Sequence, residues 1–240
     1  FYQLFYQPGY PDLKATFEFD ADASRGVFTV EQQQVNAAEH IPIFHFQTAV
    51  AWQLDGELHT APVRIEQSHH IFMFPMSKQP ELALFDPAGA VLHKLSFNPG
   101  DDLLRRQLTD GPTVLTRIHA AKALAATGRH ANLQAIVNAY KTEPFWGVRC
   151  EMAKALEKAN SAAAATGFPT LIEFEQDALV LPTLLRAAGA YRETTVRDAL
   201  VQRLERGLAP LATQAAYEAL GSQQEAAPYG LLAAAAQTPS

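Results

Sequence analysis

The 240-residue sequence is short of cysteine, of positive charge and of long apolar runs. Its one cysteine, Cys150, excludes an intrachain disulfide and a cysteine-based zinc site, and it fits a reducing, cytoplasmic compartment. With 19 basic and 25 acidic residues, the net charge of -6 argues against a nucleic-acid partner, because binding to phosphates needs basic patches. Since no stretch of about 18 apolar residues occurs, we expect no contact with a membrane interior.

Several motifs that carry catalysis are also missing. The sequence contains no H-E-x-x-H, so the helix-borne zinc hydrolase site is absent, and it has neither a glycine-rich phosphate loop nor a G-x-S-x-G elbow. It begins with an aromatic run, Phe1–Tyr10, rather than with an initiator methionine or a signal peptide. We therefore expect this sequence to be a fragment of a longer protein.

What the chain does have is a change of hydrophobic period close to residue 98. Apolar residues alternate with a period of two up to Phe97, and they recur with a period near 3.6 after Asp101. Asn98-Pro-Gly100 breaks the pattern, and Asp101 or Asp102 is expected to cap the first helix. We therefore predict a multidomain chain, β then α, with domains over 1–98 and 99–240.

The first domain is predicted to contain about seven short strands, a number and spacing that favour a β-sandwich. Leu13–Phe19 and Phe28–Gln32 are expected to form an antiparallel hairpin, and Asp55-Gly56 is expected to form a second hairpin turn. Ile71–Phe74 is apolar on both faces, which predicts a central or covered strand. The remaining strands are expected near residues 44–54, 57–67, 81–85 and 91–97.

An internal repeat marks the second domain. Arg117-Ile-His-Ala-Ala-Lys-Ala-Leu124 returns 32 residues later as Arg149-Cys-Glu-Met-Ala-Lys-Ala-Leu156. A looser version, Leu181–Gly189 followed by Val196-Arg-Asp-Ala-Leu200, has proline in its opening turn and Val-Arg at the start of its second helix, as in a HEAT repeat. Hairpins of this kind stack because each alone leaves an apolar face uncovered. We therefore predict an α-solenoid of HEAT-like helical hairpins.

Glycine and alanine residues predict where helices end or are linked in the second domain. Gly128, Gly189 and Gly221 are expected where helices end. The alanine-rich segment Ser161–Gly167 is expected to be either a linker or a frayed helix end.

The histidines give weak candidates for metal binding. His69 and His70 are adjacent, and neighbours on a strand point to opposite faces, so an ordinary strand-edge pair is favoured over a shared ion. His40 and His45 have no matched carboxylate. His119 lies beside Arg117 on a predicted helix and is expected to be solvated.

Three further candidates have structural explanations. Arg149 could lower the pKa of the neighbouring Cys150 thiol, but a small core residue is the favoured interpretation. Asp101 and Asp102 could act as a carboxylate pair, but a helix start accounts for both. Trp146 could stack on a ligand, although an aromatic plug between helices is favoured. The sequence therefore predicts no catalytic, cofactor-binding or metal-ligating residue.

Four stretches in this order resemble the region after the catalytic domain of zinc aminopeptidases of the aminopeptidase N type, the gluzincin family. They are Gln7-Pro-Gly-Tyr-Pro11, Phe28-Thr-Val-Glu-Gln-Gln33, Phe85-Asp-Pro-Ala-Gly-Ala-Val-Leu92 and Pro144-Phe-Trp-Gly-Val-Arg149. The resemblance implies a sandwich followed by HEAT-type helices. It also implies that the zinc ion, its two His and Glu ligands and the general-base Glu belong to an upstream catalytic domain.

The resemblance therefore predicts a non-catalytic C-terminal part that supports the catalytic domain and walls its substrate cavity. This segment is expected to be inactive alone and to hold no cofactor. Its expected partner is the upstream catalytic domain of the same chain, and it is expected to meet peptide substrates only indirectly. The alternative is a protein-interaction scaffold from a catalytically inactive aminopeptidase relative. An independent enzyme would instead require a deep cleft with convergent ionisable residues.

Overall fold

The structure is a computed structural model that describes residue 6 and residues 8–35 and 41–223. Most of the Phe1–Tyr10 aromatic run, His40 and the chain after residue 223 lie outside the described residues. Strands come first and helices later. Contacts divide the chain into two compact units, Phe1–Ala123 and Leu124–Ser240, and the first unit therefore includes helical residues as well as the strands.

Within the described part of the first unit, the strands form two separate sheets. One sheet has the order β5-β2-β1-β7 and the other has the order β4-β3-β6. The strands are β1 (Asp12–Asp20), β2 (Arg25–Gln32), β3 (Phe46–Leu54), β4 (Glu57–Ile65), β5 (His69–Pro75), β6 (Leu82–Phe85) and β7 (Lys94–Asn98).

Both predicted hairpins are confirmed. β1 pairs with β2 in antiparallel register, which places Phe17 opposite Phe28. β3 pairs with β4 in the same way, and the turn between them has φ of 53° at Asp55 and 79° at Gly56. Positive φ at both central residues matches the twist of the flanking strands, which explains why Asp-Gly is used here.

Three strands differ from the prediction or extend it. β5 is an edge strand, and Ile71 and Met73 are 51% and 54% exposed, so the expectation of a central or covered strand was wrong. Both faces of β5 are apolar because Phe72 points inward while its neighbours Ile71 and Met73 point outward. β6 and β7 flank the turn at Asp86, yet β6 pairs with β3 and β7 pairs in parallel with β1.

Side chains from both sheets share one hydrophobic cluster. The ring of Phe28 lies 4.8 Å from that of Phe17 and 6.4 Å from that of Phe97, measured between centroids. Trp52 of β3 lies 4.9 Å from Phe74 of β5, so the two sheets contact each other through aromatic rings. Removing one such large apolar side chain from water contributes about 1.5–3 kcal/mol.

A series of helices follows β7. They are α1 (Asp101–Asp110), α2 (Val114–Ala126), α3 (His130–Thr142), α4 (Trp146–Ala159), α5 (Ala162–Ala165), α6 (Phe168–Phe174), α7 (Leu181–Ala188), α8 (Thr194–Glu205) and α9 (Pro210–Ser222). The N-cap of α1 is Gly100, with φ of 102°, so neither Asp101 nor Asp102 caps the helix. Both carboxylates lie in its first turn, where the helix dipole favours negative charge.

The helices of the second unit contact one another in two series. α3 packs against α6, and α6 packs against α8; α4 packs against α7, and α7 packs against α9. Within the pairs α3–α4, α6–α7 and α8–α9, consecutive helices also contact each other. The α3–α4 hairpin is therefore packed against the α6–α7 hairpin, and the α6–α7 hairpin is packed against the α8–α9 hairpin.

The glycines explain part of this packing. Gly128 follows α2 with φ of 64°, and Gly189 caps the C-terminus of α7, as predicted. A Cβ at Gly189 would lie 2.7 Å from the Cα of Ala219, so glycine permits α7 and α9 to approach closely. Gly221 is the second-last residue of α9, which ends at Ser222, one residue after the predicted position.

Ser161–Gly167 is neither a linker nor frayed. Ser161 caps α5 by accepting a hydrogen bond from the Ala164 N–H at 3.3 Å. Ala164 and Ala165 are buried, and a Cβ at Gly167 would clash with Cγ2 of Val137. The small side chains therefore allow this segment to pack tightly against its neighbours.

Candidate functional site

Polar side chains in the second unit converge on Arg149, which lies in the first turn of α4. Its Nε donates to Oε2 of Glu175 at 3.1 Å, and its Nη2 donates to Oδ2 of Asp177 at 2.9 Å. Its Nη1 donates to the carbonyl of Glu143, the residue after α3, at 2.9 Å. One guanidinium therefore connects the end of α3, the start of α4 and the segment after α6.

Glu175 is the buried acceptor of this cluster, and its side chain is 3% exposed. Oε2 also accepts the hydroxyl proton of Tyr140 at 2.7 Å. Oε1 accepts from the backbone N–H groups of Gln176 and Asp177 at 3.0 and 2.8 Å. Burial, together with the adjacent carboxylate, raises the pKa of Tyr140 far above its ordinary value, so the phenol stays protonated.

The chemistry available to this cluster is structural. Every group named above is engaged with another protein group, and Tyr140 is fully buried. A buried ion pair with all lone pairs satisfied fixes the geometry of the hairpins that it joins. The sequence signal for it was present in the repeated arginine, but Glu175 and Tyr140 could not be paired with Arg149 from spacing.

The two adjacent histidines, His69 and His70, differ in their surroundings. His69 is exposed, whereas Nε2 of His70 accepts hydrogen bonds from the backbone N–H groups of Glu66 and Gln67 at 2.9 and 3.0 Å. This nitrogen must carry a lone pair, so the ring closes the β4–β5 loop. Burial lowers the pKa of His70, with a smaller opposing effect from Glu66.

Among the other candidates, Cys150 is buried, and burial raises the pKa of its thiol rather than lowering it. Trp146 begins α4 and is 44% exposed, so it is not a plug between helices. His45 is exposed, and His40 lies outside the described residues. Across the residues that the structure describes, no group of three His, Cys, Asp or Glu side chains is placed to hold a metal ion.

The zinc ion implied by the resemblance therefore has no matching donor set in the described chain. The full sequence also lacks H-E-x-x-H. No helix in the described ranges combines the length and hydrophobicity needed to cross a membrane.

His119 differs most from its prediction. It is not solvated: its Nε2 lies 3.1 Å from the Phe97 carbonyl, and burial lowers its pKa more than this hydrogen bond raises it. The ring lines a cavity of about 160 Å³ inside the first unit. Asp86, His93 and Gln107 also line the cavity, and the sequence predicts none of them as a site residue.

This cavity has binding groups but no assembled nucleophile. Asp86 accepts from the N–H groups of Ala90 and Val91 at 2.9 and 3.4 Å. The Thr116 hydroxyl donates to the Thr113 carbonyl at 2.8 Å rather than to an imidazole. Nucleophilic catalysis needs a hydroxyl or thiol hydrogen-bonded to a base, and the groups present here are not so arranged.

No known family profile matches this chain, and no curated protein sequence matches it. Among solved structures, it is similar to aminopeptidase A of Legionella pneumophila in complex with aspartic acid. The TM-score is 0.46 and the sequence identity is 12%, over 87% of this chain and 31% of that one. The chain thus spans about a third of that protein's length, and a similarity at this level supports no inference about activity.

Proposed function

We propose that this chain is the non-catalytic C-terminal part of a zinc-dependent, aminopeptidase-like protein of the cytoplasm. In that protein it supports an upstream catalytic domain and walls the substrate cavity, as a β-sandwich followed by a HEAT-like solenoid. The zinc ion belongs to the upstream domain, and peptide substrates meet this region only indirectly.

The observation that carries the proposal is the ordered set of resembling motifs, because these motifs contain buried anchors of the fold. Gln32 is buried and donates to the carbonyls of Phe44 and Gln67 at 2.9 and 3.0 Å. Asp86 is buried with φ of 44° at the crossing from one sheet to the other. Arg149 joins three segments of the helical unit. Residues with such roles are expected to keep their order in a family.

The architecture supports the same proposal. Both sheets contribute to one core, as a sandwich requires, and the helices pack in two series, as stacked hairpins do. A wall or buttress needs this kind of rigid surface and no reactive group of its own.

The test compares the longer encoded protein with the 240-residue chain. Release of N-terminal residues from short peptides should occur with the longer protein, stop with the zinc chelator 1,10-phenanthroline and return with added zinc. The 240-residue chain should release none. A longer protein with an intact H-E-x-x-H and a distant Glu but no chelator-sensitive release would contradict the proposal.

A second candidate is an interaction scaffold from a catalytically inactive relative. It is favoured by exposed apolar side chains in the helical unit, where Trp146 and Phe174 are each 44% exposed and Leu179 is 61% exposed. A broken zinc motif upstream, together with complete inactivity of the longer protein, would favour this candidate over the first.

A further inference from the structure

Two side chains that line the cavity beside His93 each carry a buried polar atom with no hydrogen-bond partner among the described residues. These atoms are Nε2 of His93 and Oε1 of Gln107. The His93 side chain is 10% exposed, and Gln107 is 2% exposed. A polar atom left unpaired in such a place is destabilising, so two in one cavity indicate a ligand that supplies donors.

The hydrogen bonds of the same side chains fix which atoms remain free. Nδ1 of His93 lies 2.6 Å from the Val91 carbonyl, which can only accept, so Nδ1 carries a proton, and Nε2 has a lone pair whenever the ring is neutral. The Gln107 amide nitrogen donates to the Thr116 carbonyl at 2.8 Å, which leaves its oxygen as the free atom. Both free atoms therefore require N–H or O–H groups from a ligand.

The walls of the cavity favour a cation over a neutral donor. The carboxylate of Asp86 is 2% exposed and lies 3.7 Å from Nδ1 of His93, and the described lining contains no lysine or arginine. Phe85 and Phe97 line the cavity, with their ring centroids 6.5 Å apart. A buried carboxylate attracts a positive charge, and aromatic faces add a cation–π attraction together with an apolar surface.

We propose that this cavity binds a small organic ammonium ion. The ammonium group donates to His93 Nε2 and Gln107 Oε1, and its apolar body contacts the aromatic wall. The volume of about 160 Å³ accommodates a short alkyl chain. This binding site is independent of peptidase activity and of the proposed supporting role.

The test uses the 240-residue chain and a matched pair of probes, propylammonium chloride and propan-1-ol. Long-range proton–nitrogen NMR spectra of the ¹⁵N-labelled chain report the state of each imidazole nitrogen separately. Propylammonium should produce a saturable shift at His93 Nε2, whereas the exposed His130 should not move. Propan-1-ol, which has the same carbon chain but no charge, should bind at least about tenfold more weakly.

Variants identify the acceptors. Gln107→Met and His93→Phe should each weaken propylammonium binding by about tenfold or more, because each removes one acceptor for a charged donor. Gln134→Met is the matched control: Gln134 is an exposed helical glutamine that also donates its amide to a side chain, Oδ1 of Asn138 at 3.1 Å. The Gln134→Met variant should bind propylammonium with the same affinity as the unaltered chain.

Three results would overturn the proposal. One is the absence of a shift at His93 up to about 100 mM propylammonium, where even a millimolar site would be saturated. Another is equal binding of propan-1-ol, and the third is unchanged affinity in folded acceptor variants. If both variants fail to fold, the nitrogen shifts of the unaltered chain with the two probes still decide the outcome.

Discussion

Arg117 and Arg149 make the same hydrogen bond at equivalent positions of the sequence repeat. Nη1 of Arg117 donates to the carbonyl of Gly111 at 3.1 Å, and Nη1 of Arg149 donates to the carbonyl of Glu143 at 2.9 Å. Each accepting carbonyl lies six residues before its arginine and directly follows a helix, α1 or α3. The arginine thus satisfies a carbonyl at a helix C-terminus and fixes the link to the next helix.

The two arginines should differ in their contribution to stability. Arg149→Gln should lower the free energy of unfolding by about 3–5 kcal/mol, because it leaves the buried Glu175 carboxylate without its cation. Arg117→Gln should lower it by about 1–2 kcal/mol, the effect of weakening a bond to a carbonyl. Urea unfolding followed by circular dichroism measures both values, and equal losses would contradict this account of Arg149.

Tyr140 should make stability depend on alkaline pH. Its folded pKa is raised by burial and by Glu175, so its contribution is complete below the unfolded value near 10 and is lost as pH rises beyond it. Tyr140→Phe should cost about 1–3 kcal/mol at pH 7 and should reduce the loss of stability above pH 10. Urea unfolding between pH 7 and about 11 checks this, with the half-exposed Tyr10→Phe as control. A parallel pH profile for Tyr140→Phe and the unaltered chain would argue against it.

His70 should make the first unit sensitive to acid. Its folded pKa lies below the ordinary value of 6.5, so its contribution is present above that pH and declines as pH falls through the folded pKa. His70→Gln keeps an acceptor for the loop N–H groups and removes the titration, so its stability should fall less between pH 6.5 and 5. Thermal unfolding at both pH values is the measurement, and His69→Gln should behave as the unaltered chain does.

Glycine at two positions of the helical unit should respond in opposite directions to alanine. Gly189→Ala should cost about 1–3 kcal/mol, because the new Cβ meets the backbone of α9 at 2.7 Å. Gly221→Ala should gain about 0.5–1 kcal/mol, since Gly221 is helical and a Cβ there meets nothing within 4 Å. Denaturation midpoints compare the two, and stabilisation by both would exclude close packing at Gly189.

Local pattern was sufficient to predict the order of strands and helices. Asp55-Gly56 gives a hairpin turn by its own backbone preference, and alternation at β1 and β2 defines a buried face without reference to distant residues. Periodicity carries no information on the order of strands in a sheet. The edge position of β5 and the placement of β6 and β7 in different sheets could therefore not be predicted from it.

The polar clusters were harder to predict for the same reason. Glu175 lies 35 residues from Tyr140, and His93 lies 26 residues from His119, so their proximity depends on packing that spacing does not encode. His119 also lies close to charged residues in the sequence, which predicts a solvent-exposed side chain. In the fold, its ring lines a cavity instead.

The parallel pairing of β7 with β1 also sets an order of events during synthesis. Lys94 donates to Asp12, which lies 82 positions earlier in the sequence, so the sheet stays incomplete at one edge until the chain has been synthesised through β7. Until then the β1–β2 ribbon exposes its unpaired side to the cell, and loop closure over that distance slows the final docking. A nascent chain halted before Lys94 should therefore be an attractive substrate for chaperones.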